Sequence, residues 1–592
     1  MLLERYLDDL AAATMQEALG LEERPRALLR TTQDPKFGDY QINGAMALAK
    51  RLKKAPRDLA GPIAEAMAKH EAIAKADVAG PGFVNLTLDA GWLGRQLAAA
   101  LGDARLGVDA VEAPEKIVVD FSSPNIAKQM HVGHLRSTII GWSLVQLYRA
   151  VGHEVIGDNH LGDWGTQFGL LIVGMREFGD EGALEKDAIA ELERVYKLAS
   201  KKAKEDEAFA ESARAELAKL QGGDPENTAL WERFVATTRQ TLEAIYARLG
   251  VRFDEWLGES AYDAMLPGVV ETLLEKGIAR EDQGAICVFF HDMDPGAIEG
   301  AVEGYALPKR LRKQKQPFIV RKKDGAFLYS TTDIATVLHR KEEMGADRSV
   351  YVVGAPQALH FEQLFAVMRL LGVEMGLEHV SFGSVLGEDG KPLKTRDGKT
   401  VKLKDLLDEA EQKTREIVEA SRAEGKLRIA EEDLDEAVAT IGIGAVKWAD
   451  LMQNRATDYK YDPEKMCSFK GNAGPYVQYQ YARVRSLFAE GGLEYEGFEA
   501  PIAPEHEAEV GLARVLIRFG DVVHRAAEGS LPNLICDHLY EVASAYSRFY
   551  TQCPVLKSEG ETRETRLGLA ALAGRQLEKG LELLGIEVLE RM

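Results

Sequence analysis

Residues 116–137 read KIVVDFSSPNIAKQMHVGHLRS, and the rest of the chain is organised around them. Positions 117–121 are an apolar, β-branched run holding a carboxylate at Asp120, the pattern of a buried parallel strand. Ser122, Ser123, Pro124 and Asn125 make a turn. His131 and His134 then flank Val132 and Gly133, and 135–150 continues as a helix. A strand, a loop with a close-approach glycine and a helix N-terminus together form an anion site of the doubly wound type. The two imidazoles offer hydrogen bonds to phosphate oxygens, and Gly133 lets a nucleotide lie close to the backbone. No nucleophile is required, because charge at phosphorus is stabilised by placed donors. By composition a His-x-Gly-His match arises by chance about 0.02 times in such a chain, so alone it suggests nucleotidyl transfer and leaves its purpose open.

Composition narrows the classes. At 592 residues the length prior favours three to five domains. No run of about 18 uncharged apolar residues occurs, so no membrane span is expected. The charged pattern MLLERYLDDLAAATMQEAL reads as a first amphipathic helix and not as a signal peptide. Cys287, Cys467, Cys536 and Cys553 lie far apart, without CxxC or histidine companions. They point to buried thiols in a reducing, cytoplasmic setting, and no resident metal is expected. The formal charge of −21 argues against bulk attraction for nucleic acid, so a nucleic-acid partner would have to be met by local basic patches. One such patch is 309–323, with eight basic side chains, read as a phosphate-facing ridge beside the site.

The organisation follows from pattern changes. Residues 1–112 read as an α+β unit whose segment ADVAGPGFVNLTLD is a strand pair. A βαβ pattern begins near 115, giving a catalytic region over 113–385. An Ala/Glu/Lys-rich helical insertion interrupts it at about 177–250. A loop and helical region covers 386–460, and 461–592 is a helical tail. The fold class expected is α/β, a doubly wound parallel-sheet (Rossmann-type) catalytic domain with an N-terminal α+β domain and an all-helical C-terminal domain.

Four segments are expected at the carboxyl ends of parallel strands: 120–125, the histidine pair, 329–333 and 357–360. Asp120 and Asp333, with Asn125, Tyr329 and Gln357, would make a polar pocket with excess negative charge. A guanidinium presents five donors in a planar fork and suits such acceptors, whereas a lysine substrate would leave several unpaired.

The segments DFSSPNIAKQMHVGHLRSTIIG, NHLGDWGTQFG, YSTTDIA, YVVGAPQALHFEQ and GPYVQYQYARVRS occur in one order. With them, the chain resembles the arginyl-tRNA synthetases of class I over nearly its whole length. The resemblance implies that Mg-ATP and L-arginine give arginyl-adenylate and pyrophosphate, and that arginine then passes to the 2′-hydroxyl of the terminal adenosine of tRNA(Arg). It implies a monomer and activation that needs tRNA. It assigns ATP phosphates to His131 and His134, close approach of the adenosine to Gly133, and an adenosine contact to His360. Asp120 and Asn125 would hold the amino group and nearby polar atoms of arginine, and Tyr329, Asp333 and Gln357 its side chain. Phe83 and Asn85 match positions that meet the tRNA D-loop. Tyr476, Tyr479 and Arg483, at i, i+3 and i+7, match the anticodon-binding face, with Met592 beside them.

The sequence departs from class I at one point. Where Lys-Met-Ser-Lys is usual it reads Gly390-Lys391-Pro392-Leu393-Lys394-Thr395-Arg396. Lys128 is expected to supply the missing charge, with Lys394 an ATP contact and Lys391 and Arg396 weaker candidates. Salt dependence of tRNA binding is expected to be modest. A cysteine enzyme would need zinc ligands, an enzyme for large aliphatic residues an editing domain, and a non-catalytic homologue would have lost the histidines or carboxylates. A small-molecule nucleotidylyltransferase would not explain the helical tail.

Overall fold

Alternation of buried and exposed side chains along the first hundred residues produces a small antiparallel sheet. Its strands are β1 (Leu29–Thr31), β2 (Tyr40–Ile42), β3 (Ile73–Ala79) and β4 (Phe83–Leu88), in the order β1–β2–β4–β3. Val84, Leu86 and Leu88 of β4 bury with the apolar faces of helices Leu3–Leu19 and Pro56–Met67 in a core of their own. The computed structural model describes residues 2–32, 34–394 and 401–592.

The quoted stretch forms β5 (Lys116–Asp120), the loop 121–131 and the helix Val132–Ala150, which leads into β6 (Glu154–Asp158). Helices Thr166–Phe178, Glu181–Lys186, Ala188–Glu205, Glu207–Gln221 and Pro225–Arg248 follow. Next come β7 (Arg280–Asp282), β8 (Ala285–Val288) and β9 (Phe318–Arg321), an antiparallel sheet. The chain then rejoins the parallel sheet as β10 (Arg348–Tyr351) and β11 (Gly376–His379), in the order β6–β5–β10–β11. The connections diverge between β5 and β10, and that switch point is where a doubly wound sheet binds its ligand.

Strand β5 explains why the sheet is enclosed. Ile117 and Val119 face one apolar cluster with Phe121, while Val118 faces another. All three strand residues are fully buried, each contributing roughly 1.5–3 kcal/mol. Gly141 lets the helix Val132–Ala150 lie on Phe121, because a Cβ at 141 would overlap that ring. The cluster behind Ile117 runs without interruption into the C-terminal helices, so catalytic and helical regions share a core. A short parallel pair, β12 (Val385–Leu386) and β13 (Tyr459–Lys460), closes the seam between them.

One expectation is corrected. Residues 329–333 do not follow a parallel strand: they open the helix Tyr329–Glu342 after the antiparallel β9. Ser330 donates to the Ile319 carbonyl and Thr331 to that of Val320, so side-chain hydrogen bonds fix this helix start to β9. Strand–loop–helix reads alike in either sheet, since periodicity does not reveal a strand's neighbours.

Candidate active site

The two histidines cap their own helix. Gly133 N–H donates to His131 Nδ1 at 3.1 Å, and His131 N–H donates to His134 Nδ1 at 3.1 Å, a reciprocal capping box. With both Nδ1 atoms accepting, the neutral rings carry their protons on Nε2. Burial lowers the pKa of His131. It lowers that of His134 to about 4, with the charges of His131 and Lys128 adding to the effect. The pair therefore acts near pH 7 as two neutral donors, 4.0 Å apart by ring centroid, at a positive helix end. Gly133 has a reason beyond nucleotide approach: a Cβ there would sit 2.9 Å from the His131 ring.

The backbone before the pair is strained. Ser122, Ser123 and Ala127 all hold positive φ, at 70°, 45° and 62°. Such strain persists only where surrounding bonds over-determine it. Ser122 N–H donates to Ser137 Oγ, the Ser122 hydroxyl meets Tyr246 Oη at 2.7 Å, and Ser123 N–H donates to Asn159 Oδ1.

A cleft of about 580 Å³ opens at the switch point. Its lining includes Asp120, Asn125, His131, Gly133, His134, Tyr329, Asp333, Gln357 and Lys394, all expected site residues. Tyr329, 62% exposed, stands with its ring edge against His360. His360 itself lies behind the wall: its Nε2 meets Asp333 Oδ2 at 2.6 Å, and its ring packs on Phe318 and Phe361. His360, expected to contact adenosine, is not among the residues lining the cleft in this structure, and its Nε2 is engaged with Asp333.

Part of the pocket's negative charge meets a cation from the protein itself. Asp120 Oδ2 accepts from Arg340 at 2.7 Å and its Oδ1 accepts from Ser123 Oγ at 2.9 Å. Arg340 is fully buried and reaches Asp158 equally closely.

Lys128 does not line the cleft. It is exposed, with its ammonium 5.9 Å from the Tyr196 ring of the insertion, although its charge reaches His134. Lys391 is exposed, and Arg396 lies outside the described residues. From Val401 on, the backbone pairs with the histidine loop: Val132 N–H donates to the Val401 carbonyl and Leu403 N–H to that of Met130.

Glu259 escaped sequence analysis because GESAYD carries no local signal. It lines the cleft near Asp333, and burial raises its pKa to about 7, with Asp333 and Asp163 adding to the rise. NHLGDWG holds it there: Glu259 N–H donates to the Leu161 carbonyl, while Ser260 donates through N–H and hydroxyl to Asp163. Among His, Cys and carboxylate clusters of the described residues, Asp120, Asp158 and His160 lie close enough to share a cation, but the guanidinium of Arg340 already bridges the two aspartates.

The distal residues fall into two groups. Asn85 is buried in β4, its oxygen accepting from Gln41 Nε2 at 2.8 Å, and Phe83 is half-buried beside it. In the helical region the Arg483 guanidinium is held between Tyr479 and Tyr550, at 5.1 and 4.9 Å. Tyr476 meets Tyr540 edge-on, and Met592 packs in the small cluster that Tyr479 covers. Tyr550, 37% exposed, is the member of this face that spacing along one helix does not reveal.

Comparison with known proteins matches three family models in succession. They are the arginyl tRNA synthetase N terminal domain over 5–88, the tRNA synthetases class I (R) catalytic domain over 96–463, and the DALR anticodon binding domain over 477–592. The arginine–tRNA ligase of Alteromonas mediterranea is 44% identical over 586 residues, 97% of either chain. That of Laribacter hongkongensis is 42% identical with full coverage of both. The crystal structure of arginyl-tRNA synthetase from Plasmodium falciparum superposes with a TM-score of 0.81 at 25% identity, covering 100% of this chain and 99% of that one. The Thermus thermophilus arginyl-tRNA synthetase shares the fold, with a TM-score of 0.79 at 23% identity.

Proposed function

This chain belongs to the arginyl-tRNA synthetases of class I, and on that premise we propose how its residues divide the work of an arginine–tRNA ligase. The activity joins arginine to tRNA with ATP in two steps. The α-carboxylate of arginine attacks the α-phosphorus of ATP and pyrophosphate leaves. The terminal 2′-hydroxyl of tRNA(Arg) then attacks the carbonyl carbon and AMP leaves.

The observation that carries the assignment is the polarity of the cleft. One end holds two neutral Nε2–H donors on a helix N-terminus; the other holds Asp333 and Glu259, which have no lysine or arginine in ion-pair range among the described residues. ATP phosphates fit the first end and a guanidinium fits the second. His131 and His134 therefore bind the phosphates, with Gly133 under the nucleotide and Lys394 at the cleft margin. Glu259 and Asp333 take the guanidinium, Tyr329 covers it and Gln357 adds a polar contact. Asn125 and the Ser123-bonded oxygen of Asp120 face the amino end. His360 serves by orienting Asp333. Magnesium arrives on the ATP phosphates, in keeping with an acidic cluster already filled by Arg340.

Lys128 is proposed to leave Tyr196 and neutralise charge on the transferring phosphate, supported by its exposed ammonium, which has no carboxylate in ion-pair range among the described residues, and by its electrostatic reach to His134. tRNA engages three surfaces. Phe83 with the Gln41–Asn85 amide pair meets the D-loop; Tyr476, Tyr479, Arg483, Tyr550 and Met592 meet the anticodon; the ridge 309–323 meets acceptor phosphates. Activation awaits tRNA, and the protein acts as a cytoplasmic monomer.

Pyrophosphate exchange across the twenty amino acids, with and without tRNA(Arg), tests the reading. Exchange with arginine alone and only in the presence of tRNA is expected, and Lys128→Ala should lower its kcat about 100-fold. Exchange with another amino acid would overturn the substrate assignment, and an unchanged Lys128→Ala the role of that lysine.

A further inference from the structure

Arg340 does to the floor of the cleft what the substrate is expected to do to its wall. Its Nη2 lies 2.7 Å from both Asp120 Oδ2 and Asp158 Oδ2, and its Nη1 donates to Ser349 Oγ at 3.1 Å. The three partners come from adjacent strands β5, β6 and β10. Asp120 and Asp158 are register neighbours, and Tyr351, opposite Asp120 on β10, lies under the guanidinium at 5.2 Å. Arg340, Asp158 and Ser349 are fully buried.

Arg340 also sits on the helix that carries Tyr329 and Asp333. Asp333 and Arg340 are seven residues apart, about two turns or ~10 Å of rise, so they share a face of one rigid element. A long helical side chain leans toward the helix N-terminus, which brings the guanidinium back to the strand ends. One residue thus bridges both floor carboxylates and docks the helix that presents Asp333.

Without Arg340 the cleft would offer a guanidinium two seats, one at Asp120–Asp158 and one at Asp333–Glu259. Occupying the first seat would turn the amino acid away from the histidines. We propose that Arg340 is a positioning and specificity-determining residue: its own guanidinium closes the floor seat and thereby fixes the direction in which arginine lies. This rests on arginine being the bound amino acid. Failure of that premise shows in wild-type exchange, whereas failure of the Arg340 role shows only in the variants.

The experiment is pyrophosphate exchange by the full-length enzyme with tRNA present, using Arg340→Met, Arg340→Ala and Ser349→Ala. Arg340→Met should raise the KM for arginine at least 50-fold while the KM for ATP stays within threefold. In Arg340→Ala, millimolar methylguanidinium should refill the floor seat and restore activity at least fivefold, and methylammonium should not. The same methylguanidinium inhibits the wild type in competition with arginine, so the sign of its effect reverses between the two proteins. Should Arg340→Ala not fold, Ser349→Ala decides: its KM for arginine should rise three- to tenfold with the KM for ATP unchanged. The proposal is overturned if arginine and ATP constants move together in step with lost folded protein. It is likewise overturned if methylammonium rescues as well as methylguanidinium, or if Ser349→Ala leaves the KM for arginine unchanged.

Discussion

Two pairs of carboxylates meet the same cleft and are treated in opposite ways. Asp120 and Asp158 at the strand ends hold a fully buried arginine between them. Asp333 and Glu259 on the wall have no lysine or arginine in ion-pair range among the described residues: a histidine lies beside the first, and burial lifts the Glu259 pKa to about 7 against the opposing pull of His160 and the Trp164 N–H. A pair bridged by the protein's own guanidinium ties the strand ends to the helix and leaves only the Ser123-bonded oxygen of Asp120 toward the cleft. An uncompensated pair costs stability and is left ready for a cation from outside. The difference shows that electrostatic readiness depends on which carboxylates the fold leaves unpaired, not on how many line a pocket.

The largest test of this contrast removes a partner from the compensated pair. Asp158→Leu leaves Arg340 one carboxylate short in the interior and deprives Leu257 N–H of its acceptor. A loss of about 3 kcal/mol in unfolding free energy is expected, measured by denaturant titration. The same operation on the other pair should separate binding from stability. Asp333→Asn or Glu259→Gln should raise the KM for arginine roughly 10- to 100-fold, in line with a charge-assisted hydrogen bond of about 1.5–3 kcal/mol. Neither should lower the melting temperature; a matching loss of stability would break the contrast.

A smaller effect appears with pH. Glu259 is held above its ordinary 4.5, so its neutral form stabilises the free enzyme. That contribution is complete below the unfolded value and is lost as pH rises through about 7. Arginine binding has the opposite sign, because the guanidinium prefers the carboxylate. The KM for arginine should fall about fivefold from pH 6 to pH 7 and about twofold more by pH 8, levelling off above. Glu259→Gln should flatten the profile, and a slope that survives the substitution would assign it elsewhere.

Much of this was legible in the chain. The run around Val118, the turn 122–125 and the spacing of His131, Gly133 and His134 specified strand, loop and helix, because hydrophobic period and turn chemistry are written in neighbouring residues. The aromatic and arginine spacing at 476, 479 and 483 gave one helix face for the same reason. The roles of Arg340, Glu259, His360 and Tyr550 were not legible. Arg340 meets carboxylates 220 and 182 positions away, and only the order β6–β5–β10 brings those strand ends under its helix. Sequence by itself determined that the chain builds a phosphate-binding strand–loop–helix with acidic companions, since local hydrogen bonding and hydrophobic period dictate that. Which acids are spent on the protein's own arginine and which are kept for a ligand was decided only in the tertiary structure, because pairing a buried charge depends on which distant strands become neighbours.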